Sequence, residues 1–178
     1  MYKTIIKFYM DYRKEEVWLN EMASKGLSLH TYSPFRYVFK KTEPGKYQYK
    51  IDLLDNLPSH PESENYIEFL DENGVELIGT HYRWILVRKL NDGTDFNLNT
   101  TTEAKMSFYK RYLQMVVPIW LVNIMFVLTN LLSFHSHGQG VSMFAVAVNS
   151  FVALMLGIMV FKVYKMYNIV KTESSIYE

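Results

Sequence analysis

The sequence predicts an α+β domain of two βαββ repeats, an antiparallel sheet with two helices on one face, followed by an α-helical transmembrane hairpin. Three observations carry that expectation. From Tyr112 to Phe161 there is no Asp, Glu, Lys or Arg, and only the polar run His135 to Gly140 breaks the apolar character. Trp18 to Leu29 is echoed by Tyr66 to Leu77, and Arg36-Tyr37-Val38-Phe39 by Arg83-Trp84-Ile85-Leu86, with one residue of length difference between the copies. In each copy an apolar-periodic stretch stops at a glycine, Gly26 or Gly74, suited to the left-handed position that ends a helix.

The first copy opens with a strand over Lys3 to Phe8 and a helix that Asp11 can cap. After Gly26 the chain re-enters as a strand and then a hairpin strand through Arg36 to Phe39. Pro44-Gly45 marks the turn into the second copy. Its first strand is Tyr47 to Leu53, and its helix is announced by Ser59 and Glu62 around Pro61, a capping box with proline at an early helical position. The second hairpin follows Gly74, and residues 1–98 form one cytoplasmic domain. Asn91 to Asp95 reads as a loop. Thr100 with Glu103 then caps a juxtamembrane helix, residues 99–111, that continues unbroken into the first span.

The spans are 112–134 and 141–161, each long enough to cross about 30 Å of hydrocarbon at about 1.5 Å per residue. An outer loop, 135–140, joins them and a tail, 162–178, follows. Lys105, Lys110 and Arg111 precede the first span and Lys162, Lys165 and Lys171 follow the second, while the loop has no cation. By the positive-inside rule the protein is a multi-pass cell-membrane protein with both termini cytoplasmic. Tyr109, Tyr112, Tyr164 and Tyr167 make an inner aromatic belt, whereas Trp120 lies inside the span. Asn123 and Asn149 sit at matching depth and are placed to hydrogen-bond to one another. Ala145, Asn149, Ala153 and Gly157 recur every four residues, a small-residue seam for close helix approach. Pro118 predicts a modest kink.

Composition narrows the function classes. Before the membrane, basic and acidic residues balance, so no basic stripe is available to grip nucleic acid and direct binding to it is not expected. The chain has no Cys, which removes disulfides, thiolate catalysis and cysteine zinc sites. His135 and His137 alone are too few for a metal centre, and His30, His60 and His81 belong to no motif. No nucleophile elbow, phosphate loop, metalloprotease helix or dinucleotide fingerprint is present, so neither catalysis nor a cofactor is expected. Glu15-Glu16, Asp71-Glu72, Asp52 and Asp55 read as helix or loop surface.

With both helices on one side of the sheet, the other side lacks cover. Its strands carry Tyr32, Tyr37, Tyr47, Tyr49, Tyr82 and Trp84, a candidate face for a partner, a ligand or a second copy, unless these rings alternate into the core. A homodimer would use that face, a free sheet edge, or the membrane seam.

Trp18-Leu19-Asn20-Glu21-Met22-Ala23-Ser24-Lys25-Gly26, Tyr37 to Lys41 with Pro44-Gly45, Tyr49 to Leu54 and Trp84 to Lys89 together resemble the bacterial family catalogued as domain of unknown function 2812. The resemblance covers most of residues 1–111 and implies a cytoplasmic domain followed by a few membrane helices. It also implies genes beside PadR-type transcription regulators, hence a membrane partner for such a regulator or for a transporter under its control. It carries no site residues. The functional expectation is a membrane-anchored interaction or sensory protein in contact with the lipid bilayer and a protein partner. The alternative is a small-molecule-binding module on the aromatic face.

Overall fold

A computed structural model describes residues 2–98, 101–137 and 143–174. Two compact units result, residues 1–98 and 99–178.

The first unit runs β1 (Tyr2–Ile6), α1 (Tyr12–Ser24), β2 (Leu27–Ser33), β3 (Arg36–Lys41), β4 (Tyr47–Leu53), α2 (Pro61–Glu72), β5 (Val75–His81) and β6 (Trp84–Leu90). Asp11 caps α1, its side chain accepting from the Arg13 N–H at 3.1 Å. The cap of α2 is His60 rather than Ser59. Pro61 takes the first helical position, and the His60 imidazole accepts from the Glu62 N–H at 3.3 Å. Gly26 and Gly74 have φ of 75° and 76°, the left-handed geometry that lets each helix stop and the chain turn into a strand.

The repeat extends to fine detail. Both halves order their strands alike, β1-β3-β2 and β4-β6-β5, all antiparallel. Both β2 and β5 slip register, between Leu29 and Thr31 and between Leu77 and Gly79. Both hairpin turns hold an aromatic residue at positive φ, Phe35 at 66° and Tyr82 at 56°.

The arrangement of the halves departs from the expectation of one sheet with both helices on one face. There are two three-stranded sheets. Along β6, Leu86 enters a core with Leu19, Met22 and Ala23 of α1, while its neighbours Ile85 and Val87 enter another with Leu70 of α2. Successive residues of a strand point to opposite faces, so α1 and α2 serve opposite faces of the second sheet.

The physical cause of the split lies at the free edge of β4. The Leu54 N–H bonds to the Arg83 carbonyl, which fixes the alternation and turns the N–H groups of Tyr49, Ile51 and Leu53 away from β6. Each meets a side-chain oxygen. Asn20 accepts from Tyr49 N at 2.9 Å, Glu16 from Ile51 N at 3.2 Å, and Asp52 from Leu53 N at 2.8 Å. Asn20 also donates to the Tyr49 carbonyl at 3.0 Å, and Lys50 Nζ lies 2.7 Å from Glu16. One face of α1 thus takes the place of a neighbouring strand, and the ladder stops.

The second unit comprises α3 (Thr102–His137) and α4 (Met143–Ser174). Thr101 caps α3, its hydroxyl accepting from the Ala104 N–H at 3.1 Å; Thr100 lies outside the described residues. So do residues 138–142, which include the end of the expected outer loop, and the last residues of the tail. Pro118 stands inside the unbroken α3. Both helices are long and apolar enough to cross a membrane. They expose large apolar side chains such as Val122, Leu132, Phe144 and Phe161, which in water would be costly.

Candidate interaction surfaces

The six strand aromatics do not form one open face. Tyr37 and Tyr49 are buried, at 2% and 0% exposure; Tyr32, Tyr47 and Trp84 are half-buried against the same core; only Tyr82 stands out. The β1–β3 and β4–β6 pairings are regular, so Tyr37, Tyr47, Tyr49 and Trp84 do alternate to one face, but it is the face that packs on α1 with Ile51 and Leu86. The register slip of β2 brings Tyr32 to the same core, and the inner rings join the two halves.

Tyr49 of the second half receives the Leu29 N–H of the first on its hydroxyl at 2.8 Å. Tyr32 lies over the bulge of β5, where a Cβ added to Gly79 would come within 2.9 Å of its ring. Tyr47 carries the Arg88 guanidinium 4.3 Å above its ring centre. That guanidinium forks onto Glu76 at 2.8 and 2.9 Å and reaches across to the Leu29 carbonyl at 2.9 Å and the Ser28 hydroxyl at 3.0 Å. Trp84 leans on Tyr12 at 5.4 Å. These contacts tie β2 and α1 to the second sheet, and they occupy ring surface that a ligand would need.

Polar residues expected at the surface turn out to be internal. Glu15 is buried and accepts from the Tyr37 hydroxyl at 2.6 Å. Burial raises the Glu15 carboxyl above the ordinary carboxylate range, although the Tyr37 hydrogen bond opposes this. Burial, with Glu15 nearby, pushes Tyr32 up to about 12, and Tyr37 rises for the same reasons. Asp52 is buried too, its second oxygen accepting from the Tyr66 hydroxyl at 3.0 Å. Among the described residues no group of three or more His, Cys, Asp or Glu is placed to hold a metal ion.

What the first unit does present is at its hairpin tips. Phe35 and Tyr82 are 52% and 61% exposed, and Phe8 packs on Phe35 with ring centres 5.3 Å apart while itself remaining exposed. A bulky residue at positive φ carries backbone strain of roughly 1–2 kcal/mol. Sequence reasoning passed over Phe8 and Phe35. The available signal was Pro34-Phe35, a turn dipeptide with an aromatic where a small polar residue is usual.

In the second unit Ala153 and Gly157 receive Trp120 of α3. Its indole N–H donates to the Ala153 carbonyl at 2.9 Å, and a Cβ on Gly157 would stand 3.1 Å from that nitrogen. Ala145 and Asn149 continue the seam half-buried. Asn123 and Asn149 do not bond to one another. Each turns back on its own helix, to the carbonyls of Ile119 at 2.8 Å and Ala145 at 2.9 Å. In an apolar medium a side-chain amide is satisfied most simply by the carbonyl four residues earlier. Trp120, inside the span, hydrogen-bonds across to the second helix.

Residues 11–121 match the family described as "Protein of unknown function (DUF2812)". The chain belongs to this family. The match runs from the cap of α1 to just past the middle of α3. It therefore includes the Trp18 to Gly26 segment, whose Leu19, Met22 and Ala23 fill the core and whose Asn20 closes the β4 edge. No curated protein and no solved structure matches the chain.

Proposed function

We propose that this DUF2812 protein is a multi-pass cell-membrane protein with both termini cytoplasmic, whose α+β unit engages a protein partner without catalysis. The observation that carries the proposal is the joining of two lipid-length helices, apolar on their exposed sides, to an α+β unit that displays strained aromatic hairpin tips. A buried ring surface disfavours the ligand-binding alternative. Tyr32, Tyr37, Tyr47 and Tyr49 already contact protein groups, so the partner-facing residues become Phe8, Phe35 and Tyr82. The partner class is a PadR-type regulator or a transporter subunit, as the family resemblance suggests.

Affinity purification of the tagged full-length chain from membranes tests this. Retention of a regulator or transporter subunit, lost on Phe35→Asp with Tyr82→Asp while the chain still folds, is the expected result. Retention that ignores both substitutions would move the contact elsewhere, and no retained subunit of either class would remove the proposed partner. Orientation is checked separately with single cysteines, the native chain having none. A cysteine at Ser136 should react with an impermeant reagent in intact cells, and one at Ser175 should not.

A further inference from the structure

The two sheets have four edge strands, and three of them are closed. The β4 edge is filled by Asn20, Glu16 and Asp52. β2 and β5 are interrupted by register slips and carry the contacts between the halves. β1 differs. Its pairing with β3 is regular from Tyr2 to Ile6, and it has neither proline nor bulge. The Lys7 N–H bonds to the Phe35 carbonyl, so Lys3 and Ile5 also point their backbone groups at β3 while those of Tyr2, Thr4 and Ile6 point outward. Among the described residues nothing bonds to these outward groups, and the Tyr2 and Ile6 side chains are 63% and 79% exposed. Natural edges are blunted by charge, proline, bulges or cover; β1 has Lys3 as its one charge, and its straight edge with exposed Tyr2 and Ile6 is otherwise open to pairing.

We infer that β1 pairs antiparallel with β1 of a second copy about a twofold axis at Thr4, joining two three-stranded sheets into one. The sequence of the strand selects this register. Only residues 2, 4 and 6 offer outward groups, so allowed registers pair even positions with even ones. Centring on Lys3 sets Lys3 against Lys3, and centring on Ile5 sets Lys3 against Lys7, each a like-charge pair directly opposite. Centring on Thr4 pairs the whole strand. Thr4 meets its counterpart, Tyr2 meets Ile6 of the second copy, an aromatic opposite a β-branched residue, and Lys3 meets Ile5. The strand is therefore complementary to itself in one register and opposed to itself in the neighbouring ones. A single strand pair is a small interface, and confinement of both copies to one membrane raises their effective concentration. The contact is independent of the regulator or transporter proposed above.

Cross-linking of the full-length chain in membranes tests the register, since the native sequence has no cysteine. Thr4→Cys brings two thiols onto a hydrogen-bonded pair with Cα atoms about 5.5 Å apart, within the span of a disulfide. Oxidation should give a reductant-sensitive dimer from Thr4→Cys and a mixed dimer from co-expressed Tyr2→Cys and Ile6→Cys. The exposed control Glu43→Cys should give none. Equal cross-linking of the control, or none from Thr4→Cys, overturns the inference. So does cross-linking of Thr4→Cys to Glu68→Cys on α2, which would signify head-to-tail assembly. Thr4→Pro supplies a second measurement, because it deletes an N–H that β3 does not use. The dimer should dissociate in detergent while unfolding midpoint stays unchanged. If the dimer survives Thr4→Pro but falls apart on Gly157→Leu, the contact lies between membrane helices and the β1 pairing is wrong.

Discussion

The two βαββ halves share strand order, bulges, glycine stops and aromatic turns, yet only the first sends its helix into the other half. Counting forty-eight residues from Gly26 to Gly74, Glu16 and Asn20 correspond to Glu64 and Glu68. Glu16 and Asn20 close the edge of β4, whereas Glu64 and Glu68 are exposed. The element matching β4 is β1, which stays open. Local structure thus follows from the repeated apolar and glycine pattern, and the way the halves meet follows from a few polar side chains that differ.

The largest expected contrast is between the glycines. Both have positive φ, so valine at either place meets the left-handed penalty of roughly 1–2 kcal/mol. A Cβ on Gly26 would also stand 2.8 Å from the Thr42 carbonyl oxygen, whereas nothing lies within 4 Å of one on Gly74. Gly26→Val should therefore destabilise by on the order of 3–4 kcal/mol and Gly74→Val by about half as much. Urea unfolding of the detergent-solubilised chain, followed by fluorescence of Trp18 and Trp84, measures both. Equal losses would mean that the α1 stop is no tighter than the α2 stop.

A smaller contrast separates Asn20 from Glu68. Asn20→Leu leaves the N–H and carbonyl of Tyr49 without their partner beside a buried core, at a cost of about 2–3 kcal/mol. Glu68→Leu removes no such bond and should stay within about 0.5 kcal/mol. Hydrogen exchange gives a local readout, since Tyr49 amide protection should fall in Asn20→Leu alone. Unchanged protection there would show that α1 does not close the ladder.

These polar roles explain which parts of the fold could be read in the sequence. Gly26, Gly74, Asp11 and the hairpins act within a few residues of chain, so spacing alone exposes them, as length and lack of charge expose the two long helices. Sheet membership does not work that way. Asn20 and Glu16 occupy ordinary polar positions of an amphipathic helix, and nothing local announces that their partners lie about thirty residues on, in β4. The aromatic set failed for a related reason. Alternation does set Tyr37 and Tyr49 on one face of their strands, but the sequence pattern does not say that α1 and the other half of the repeat cover that face. Trp120 stood out as an aromatic within a span, but its acceptor, Ala153, is in the next helix.

The smallest expected effect concerns the buried polar pair that the repeat sets at one position, Glu15 in the first half and Ser63 in the second. Only Glu15 titrates. Burial raises its carboxyl in the folded state above the unfolded value, with the Tyr37 hydrogen bond working the other way. A raised acid contributes stability that is fully present below the unfolded pKa and lost as pH climbs through the raised one, because the unfolded chain gives up the proton first. Glu15→Gln keeps an oxygen to accept from Tyr37 and cannot ionise. The stability of Glu15→Gln relative to the native chain should therefore increase as pH is raised from acid through that window and level off above it, whereas Ser63→Ala should show no such slope. Urea midpoints collected across the acid-to-neutral range distinguish the two, and a flat difference for Glu15→Gln would mean that Glu15 carries its charge in the fold as freely as in the unfolded chain.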